Sequence, residues 1–318
     1  MYRFSFTDIE EILSATCRFE GNRSLVYDGF RPVMECTKNH ISWIRPKVKK
    51  AASYINDTQA GCIICDEATF ELFTGNPAET LFIITPNPLL AFVKILHKAE
   101  EQVSHADEPL IHPTAIIYTG SKLGHGVKVG AYSIIEECTI GDNTIIDEHV
   151  KVHRGAIIGQ NCHIREFCSI GGAGFGIAKD EEGNNIHVPH VGKAVIGDNV
   201  LMLPFCNVDK GMLGDTIVED NVVMDHHCHI SHNSFVGRNT TITAGVIMSG
   251  GSRIGSNCFI GVQTSLKEKA EVGSNVTTGI GTIVTSNIPD NTTYVGNPAT
   301  ELSVFLAQRA FVKKGSAI

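Results

Sequence analysis

The chain has 318 residues, 42% of them hydrophobic and 19% charged, and a net charge of −8. That composition is ordinary for a globular protein, and the length suggests two domains, one of them elongated. The acidic balance argues against a nucleic-acid-binding surface, although the basic run from Lys47 to Lys50 suits a phosphate or an acidic partner. Thirty-one glycines beside one tryptophan suit a chain that turns tightly and often. The ten cysteines show no regular pair spacing, which predicts reduced, buried thiols in a cytoplasmic protein. No signal peptide is expected, because the first residues lack a basic start followed by an apolar core. No apolar run approaches the roughly 20 residues that span a bilayer, so no integral membrane segment is expected.

Residues 1–100 do not repeat. Thr7, followed by Asp8, Ile9, Glu10, Glu11 and Ile12, predicts a short N-capped helix. The stretches 41–44, 61–64 and 81–84 predict strands. Cys62 and Cys65 form a C-x-x-C inside one of these apolar runs, where a buried strand is expected rather than a redox motif. Pro88 opens a predicted helix over 89–98, with Leu89, Leu90, Val93 and Leu96 on one face. Strands alternating with helices predict a small α/β domain over 1–100. The polar stretch that follows predicts a linker over 101–110.

From Ile111 an aliphatic residue recurs about every six positions, often followed by glycine, with a small residue three positions later. IGDNTI, IDEHVK, VHRGAI and IGQNCH are successive examples. Each hexad supplies one short strand and one turn, and three hexads of about 18 residues in all close one triangular coil. Aliphatic side chains stack inward, while glycine or asparagine tolerates the left-handed backbone at the corners. The fold class expected is therefore mainly β, a parallel β-helix of roughly eight coils over 111–298. Periodicity alone leaves its handedness open. One interruption is expected, a long loop over 171–193, and long loops on rigid solenoids are usually functional. Residues 299–318 are expected to form a short helical tail that caps the solenoid.

Hexads of this kind resemble the left-handed β-helix acyltransferases, trimers whose active sites lie between neighbouring prisms. A narrower resemblance covers nearly the whole chain. GGAGFGIAKDEEG, VPHVGKAVIGDNV, VDKGMLGDT, MDHHCHISHN and TAGVIMSGG resemble the UDP-3-O-acylglucosamine N-acyltransferases of lipid A synthesis. ISWIRPK, TQAGCIIC and TPNPLLAFVKIL resemble that family's nucleotide-binding domain. The resemblance implies a left-handed β-helix behind a nucleotide-binding front domain. It implies a cytoplasmic homotrimer that takes an acyl group from acyl carrier protein, as a phosphopantetheine thioester, and passes it to a UDP-amino sugar. No tightly bound cofactor is implied. Some positions depart from the family's pattern. His226 and His229 stand where asparagine and glutamine are usual, Lys210 where arginine is, and Lys269 where some members carry a second histidine. Trp43 matches one of two uracil-gripping aromatics, and the other is replaced near Val48.

N-acyl transfer needs an amine freed of its proton and a stabilised oxyanion. A histidine suits the first task because its ordinary pKa lies near working pH. The resemblance puts the base at His232. Gly250 follows by 18 residues, one coil, which places it one strand spacing of about 4.8 Å away. The backbone N–H of Gly250 is then expected near the thioester carbonyl. Taken from spacing alone, His232 reads first as a polar residue decorating a prism wall. His229 and Asn233 are candidates to contact or orient the acceptor sugar, and Asp225 is a candidate to orient a histidine or contact the sugar. Gly174, Phe175 and Gly176 are candidates to cover the nucleotide or sugar. Trp43 either stacks on uracil or packs in a core. Four histidines within seven residues also admit a metal site, but adjacent strand residues point to opposite faces, so none is expected. Two further functions stay open. One is a CoA-dependent N-acyltransferase acting on a nucleotide-linked amino sugar for surface glycans. The other is a non-catalytic hexapeptide-repeat scaffold.

Overall fold

The computed structural model describes residues 2–13, 17–103 and 110–315. The chain divides into two compact units, Met1–Asp107 and Glu108–Ile318.

The first unit is a five-stranded sheet with helices. Its strands are β1 (Arg18–Gly21), β2 (Gly29–Phe30), β3 (His40–Trp43), β4 (Cys62–Cys65) and β5 (Leu81–Ile84), in the order β1-β5-β4-β3-β2. Only β1 runs antiparallel to its neighbour. Both C-x-x-C thiols lie fully buried in β4. Burial pushes the Cys65 thiol up to about 12, so the motif is a packed strand and no redox pair. The first helix, α1 (Phe6–Leu13), is capped by Ser5 rather than Thr7. The Ser5 N–H and Oγ bond Asp8 Oδ2 at 2.7 Å, and the Asp8 N–H donates back to Ser5 Oγ at 3.3 Å. After α2 (Ala51–Asp57) and α3 (Glu67–Phe70), α4 runs Pro88–Val103. Three residues expected in the linker therefore finish a helix, and 104–109 lie outside the described residues. The buried stripe of α4 is Ala91, Ile95 and Ala99, while Leu89 and Leu90 are exposed. The stripe follows the i, i+4, i+8 spacing of one helix face, with Ile95 inserted in the core between two alanines that let the helix approach the sheet.

The second unit is a three-faced prism of parallel strands, apart from Thr300–Glu301, which runs antiparallel to Thr293–Val295. Face I has eight strands from Lys122–Leu123 to Glu271–Val272, face II ten from Lys128–Val129 to Thr300–Glu301, and face III nine from Ile116–Ile117 to Ile283–Val284. Most strands are two residues long, the first turned outward and the second inward. The inward residues form continuous columns, such as Val208, Ile230, Met248 and Leu266 on face III. Each buried aliphatic side chain stabilises by roughly 1.5–3 kcal/mol. A helix, α5 (Leu302–Gly315), lies against the last two strands.

The three corners differ in chemistry. The I/II corner is a column of left-handed asparagines, including Asn239, Asn257, Asn275 and Asn291. Their amides bond along the column, Asn275 Nδ2 to Asn291 Oδ1 at 2.9 Å. The II/III corner instead stacks Tyr132, His149, Phe167, Phe205 and His227, ring on ring at 4.9–5.2 Å. All five hold φ between 57° and 63°, a backbone that bulky side chains rarely adopt. The III/I corner carries the interruptions, and there are two rather than one. Face III pairs Ser169 with Asn207, then Asn207 with His229. Those steps are 38 and 22 residues (207 − 169 and 229 − 207) against 18 from His229 to Ile247. The first releases a loop bearing the hairpin Ile177–Lys179/Asn185–His187. The second is a four-residue turn, 211–214.

Candidate active site

His232 leaves the strand His229–Ile230 of face III and enters the III/I corner. Asn233 makes the turn itself, at φ 59°. Backbone groups of the 211–214 turn, one coil earlier, fix the orientation of its amide. Asn233 Oδ1 accepts from the Met212 N–H at 3.0 Å, and Nδ2 donates to the Gly214 carbonyl at 3.2 Å. The same Oδ1 faces His232 Nδ1 at 3.1 Å. An amide oxygen only accepts, so Nδ1 must carry the ring hydrogen. In the neutral ring Nε2 is then a bare lone pair, the form a general base needs.

Two glycines enclose that ring. A Cβ at Gly250, one coil onward, would stand 2.6 Å from His232 Nε2. A Cβ at Gly174, from the long loop, would stand 3.0 Å from Cδ2. Neither position accepts a side chain without displacing the imidazole. The Gly250 N–H has no hydrogen-bond partner among the described residues, so it is free to donate to an oxyanion beside the bare nitrogen. Both interruptions of the repeat thus serve one residue: the long loop brings Gly174, and the short turn locks Asn233.

The other expected site residues are placed differently. Asn233 spends its side chain on the turn and on His232. His229 is half-buried on face III, its Nδ1 accepting from Asn207 Nδ2 at 3.0 Å. Asn207 also donates to the buried Asp209 at 2.7 Å. Asp225 belongs to the II/III corner, across face III from His232. It binds His226 Nδ1 at 2.7 Å, which with the His226 N–H holds its carboxyl below the usual range. His226 and His227 share that corner, so the four histidines are dispersed. Among the described residues no three His, Cys, Asp or Glu side chains gather as for a metal ion. Phe175, between Gly174 and Gly176, is 79% exposed. Trp43 lies in the first unit, half-buried, with its ring 6.4 Å from Phe92.

Sequence reasoning missed His190. It packs edge-on against His232, ring centroids 5.0 Å apart at 75°, and is itself buried. It lies in the expelled loop, where no period marks it.

Comparison with known proteins agrees with this architecture. A family model described as "Bacterial transferase hexapeptide (six repeats)" matches residues 137–172. A UDP-3-O-acylglucosamine N-acyltransferase from Coxiella burnetii is 28% identical over 300 residues, covering 88% of this chain and 84% of that protein. One from Polynucleobacter asymbioticus is 28% identical over 240 residues, 67% of each. Among solved structures, LpxA from Acinetobacter baumannii superposes with a TM-score of 0.56 at 25% identity, over 64% of this chain and 78% of that one. The UDP-N-acetylglucosamine O-acyltransferase LpxA from Moraxella catarrhalis gives 0.57 at 23%, over 61% and 74%, and shares the fold. The prism is the left-handed parallel β-helix that the resemblance implied. The chain is thus an acyltransferase of the hexapeptide-repeat class and a relative of the UDP-3-O-acylglucosamine N-acyltransferases.

Proposed function

We propose that the protein moves a 3-hydroxyacyl group from an acyl carrier protein thioester to the amine of a UDP-amino sugar, with His232 as general base. The observation that carries this reading is the Asn233 amide, which in the neutral ring leaves His232 Nε2 as the lone pair, beside Gly250, whose N–H has no partner among the described residues. The named activity of the relatives supports the substrate class. In the reaction Nε2 takes a proton from the amine as its nitrogen bonds to the thioester carbonyl carbon. The Gly250 N–H donates to the oxyanion. Collapse breaks the carbon–sulfur bond, and the proton on His232 leaves with the thiol.

The test is His232→Ala in a folded protein. It should lower kcat by roughly 10²–10⁴, the usual worth of a general base, with little change in substrate affinity. Near-full turnover would sink the assignment. Parallel assays with acyl carrier protein and CoA thioesters, read by product mass, decide the donor, and preferred use of CoA would overturn the carrier-protein part. We further propose a cytoplasmic homotrimer, since exposed apolar residues such as Leu213 and Val191 lie on the turn and loop that frame His232. A monomer mass by light scattering at micromolar concentration would remove that part. The front unit is proposed to bind the nucleotide through Trp43. Trp43→Ala should raise the KM for the UDP-sugar, and an unchanged KM would assign Trp43 to packing on Phe92.

A further inference from the structure

We propose that His190 is a specificity-determining residue whose Nε2 accepts a hydrogen bond from a hydroxyl of the acceptor sugar. This inference rests on the sugar-acylating function proposed above. His190 is only 4% exposed. Its Nδ1 lies 2.9 Å from the Val188 carbonyl. A carbonyl has no hydrogen to give, so Nδ1 carries the hydrogen and Nε2 is a bare acceptor. That Nε2 is buried without any hydrogen-bond partner, one of two such side-chain atoms among the described residues. An orphaned buried acceptor is costly, and a native chain rarely keeps one without a use.

The position of this atom indicates the use. A Cβ at Gly174 would stand 3.0 Å from both His190 Nε2 and His232 Cδ2. The orphan acceptor and the base therefore flank one point, the missing side chain of Gly174. His190 does not float there. The Val188 N–H is bonded to the Gly176 carbonyl at 2.7 Å, and His187 Nε2 donates to the Gly174 carbonyl at 2.9 Å. The cover over Nε2 is the segment Gly174-Phe175-Gly176. Its phenylalanine is exposed with glycines on both sides. A ligand that shifts this segment brings donors to Nε2 while its amine meets His232. On a UDP-linked 3-O-acylated amino sugar, the hydroxyls left to donate are those on carbons 4 and 6.

Two variants separate this role from packing. An asparagine amide overlays Nδ1 of histidine, and a glutamine amide overlays Nε2. His190→Asn keeps the donor to Val188 and deletes the acceptor, whereas His190→Gln restores an acceptor where Nε2 stood. Using UDP-3-O-acylglucosamine and acyl carrier protein thioester, His190→Asn should lose about 10-fold or more in kcat/KM at an unchanged melting temperature. His190→Gln should retain most of the activity. Wild type should lose a similar factor on the 4-deoxy or the 6-deoxy acceptor, and His190→Asn should lose nothing further on that sugar. Full activity of His190→Asn, equal impairment of both variants, or additive losses on the deoxy sugar would each overturn the inference and leave the proposed function standing. A wild type that acylates no UDP-amino sugar would overturn both.

Discussion

At the scale of single residues, the site depends on what is absent. Gly250 lies outside the left-handed backbone region, so an alanine there is conformationally acceptable, yet its Cβ would meet His232 Nε2 at 2.6 Å. Gly250→Ala should therefore fold normally and lower kcat about 10²-fold, since a displacement near 1 Å costs that much. Melting curves and steady-state kinetics check it, and an alanine variant with full turnover would refute the enclosure. The closeness of Gly250 to His232 was legible in the sequence because one coil is 18 residues and the coil ladder there is uninterrupted. The orientation of the Asn233 amide was not, because the groups that fix it come from a turn whose residues, Gly211 to Gly214, carry no aliphatic period. His190 was hidden for the same reason.

At the scale of elements, hexad period predicts where strands lie but says little about what the corners are made of. The aromatic column escaped notice because its members stand 17, 18, 38 and 22 residues apart (149 − 132, 167 − 149, 205 − 167, 227 − 205). Bulky rings in a left-handed backbone cost energy, about 1–2 kcal/mol each, and stacking at the strand spacing offsets it by about 0.5–1.5 kcal/mol per contact. Phe205 touches a ring on each side. Phe205→Asn should lose the two stacks but tolerate the backbone, destabilising by about 1–3 kcal/mol. Phe205→Ala should lose the stacks and keep the backbone strain, costing about 1 kcal/mol more. Denaturant melts of the pair decide this, and alanine equal to or better than asparagine would mean the left-handed backbone is not limiting. The two front-unit misreadings are of the same kind. Ser5 and not Thr7 caps α1, and Ala91, Ile95 and Ala99 of α4, not Leu89 and Leu90, face the core. Propensity locates a helix, but tertiary approach selects its inner side.

At the scale of the whole molecule, the prism's response to acid follows from face III. Burial holds the His153 imidazole below its ordinary 6.5, and this outweighs the raising effect of Glu136 nearby. The unfolded chain then binds the proton more readily, so this contribution is present above pH 6.5 and is lost as pH falls through and below it. Glu136 acts lower on the scale. The Lys151 ammonium and the Arg154 N–H hold its carboxyl below the ordinary 4.5. Its contribution is intact above 4.5 and fades as pH drops toward the lowered value. His153→Gln should flatten the fall in melting temperature between pH 7 and 5 while leaving the steeper loss below 4.5. Parallel curves for wild type and variant would show that His153 does not titrate on unfolding. The division into a non-repeating front and a repeating remainder was visible in the texture of the chain, because stacking alone imposes a period. The long loop raises one further consequence. A side chain added at Gly183, in the hairpin tip, would meet nothing within 4 Å, and the coils on either side are already paired across a 38-residue step. The prism thus has a built-in graft port. A foreign peptide inserted after Gly183 would lengthen a detour that the ladder already bridges, and the solenoid should carry it as cargo.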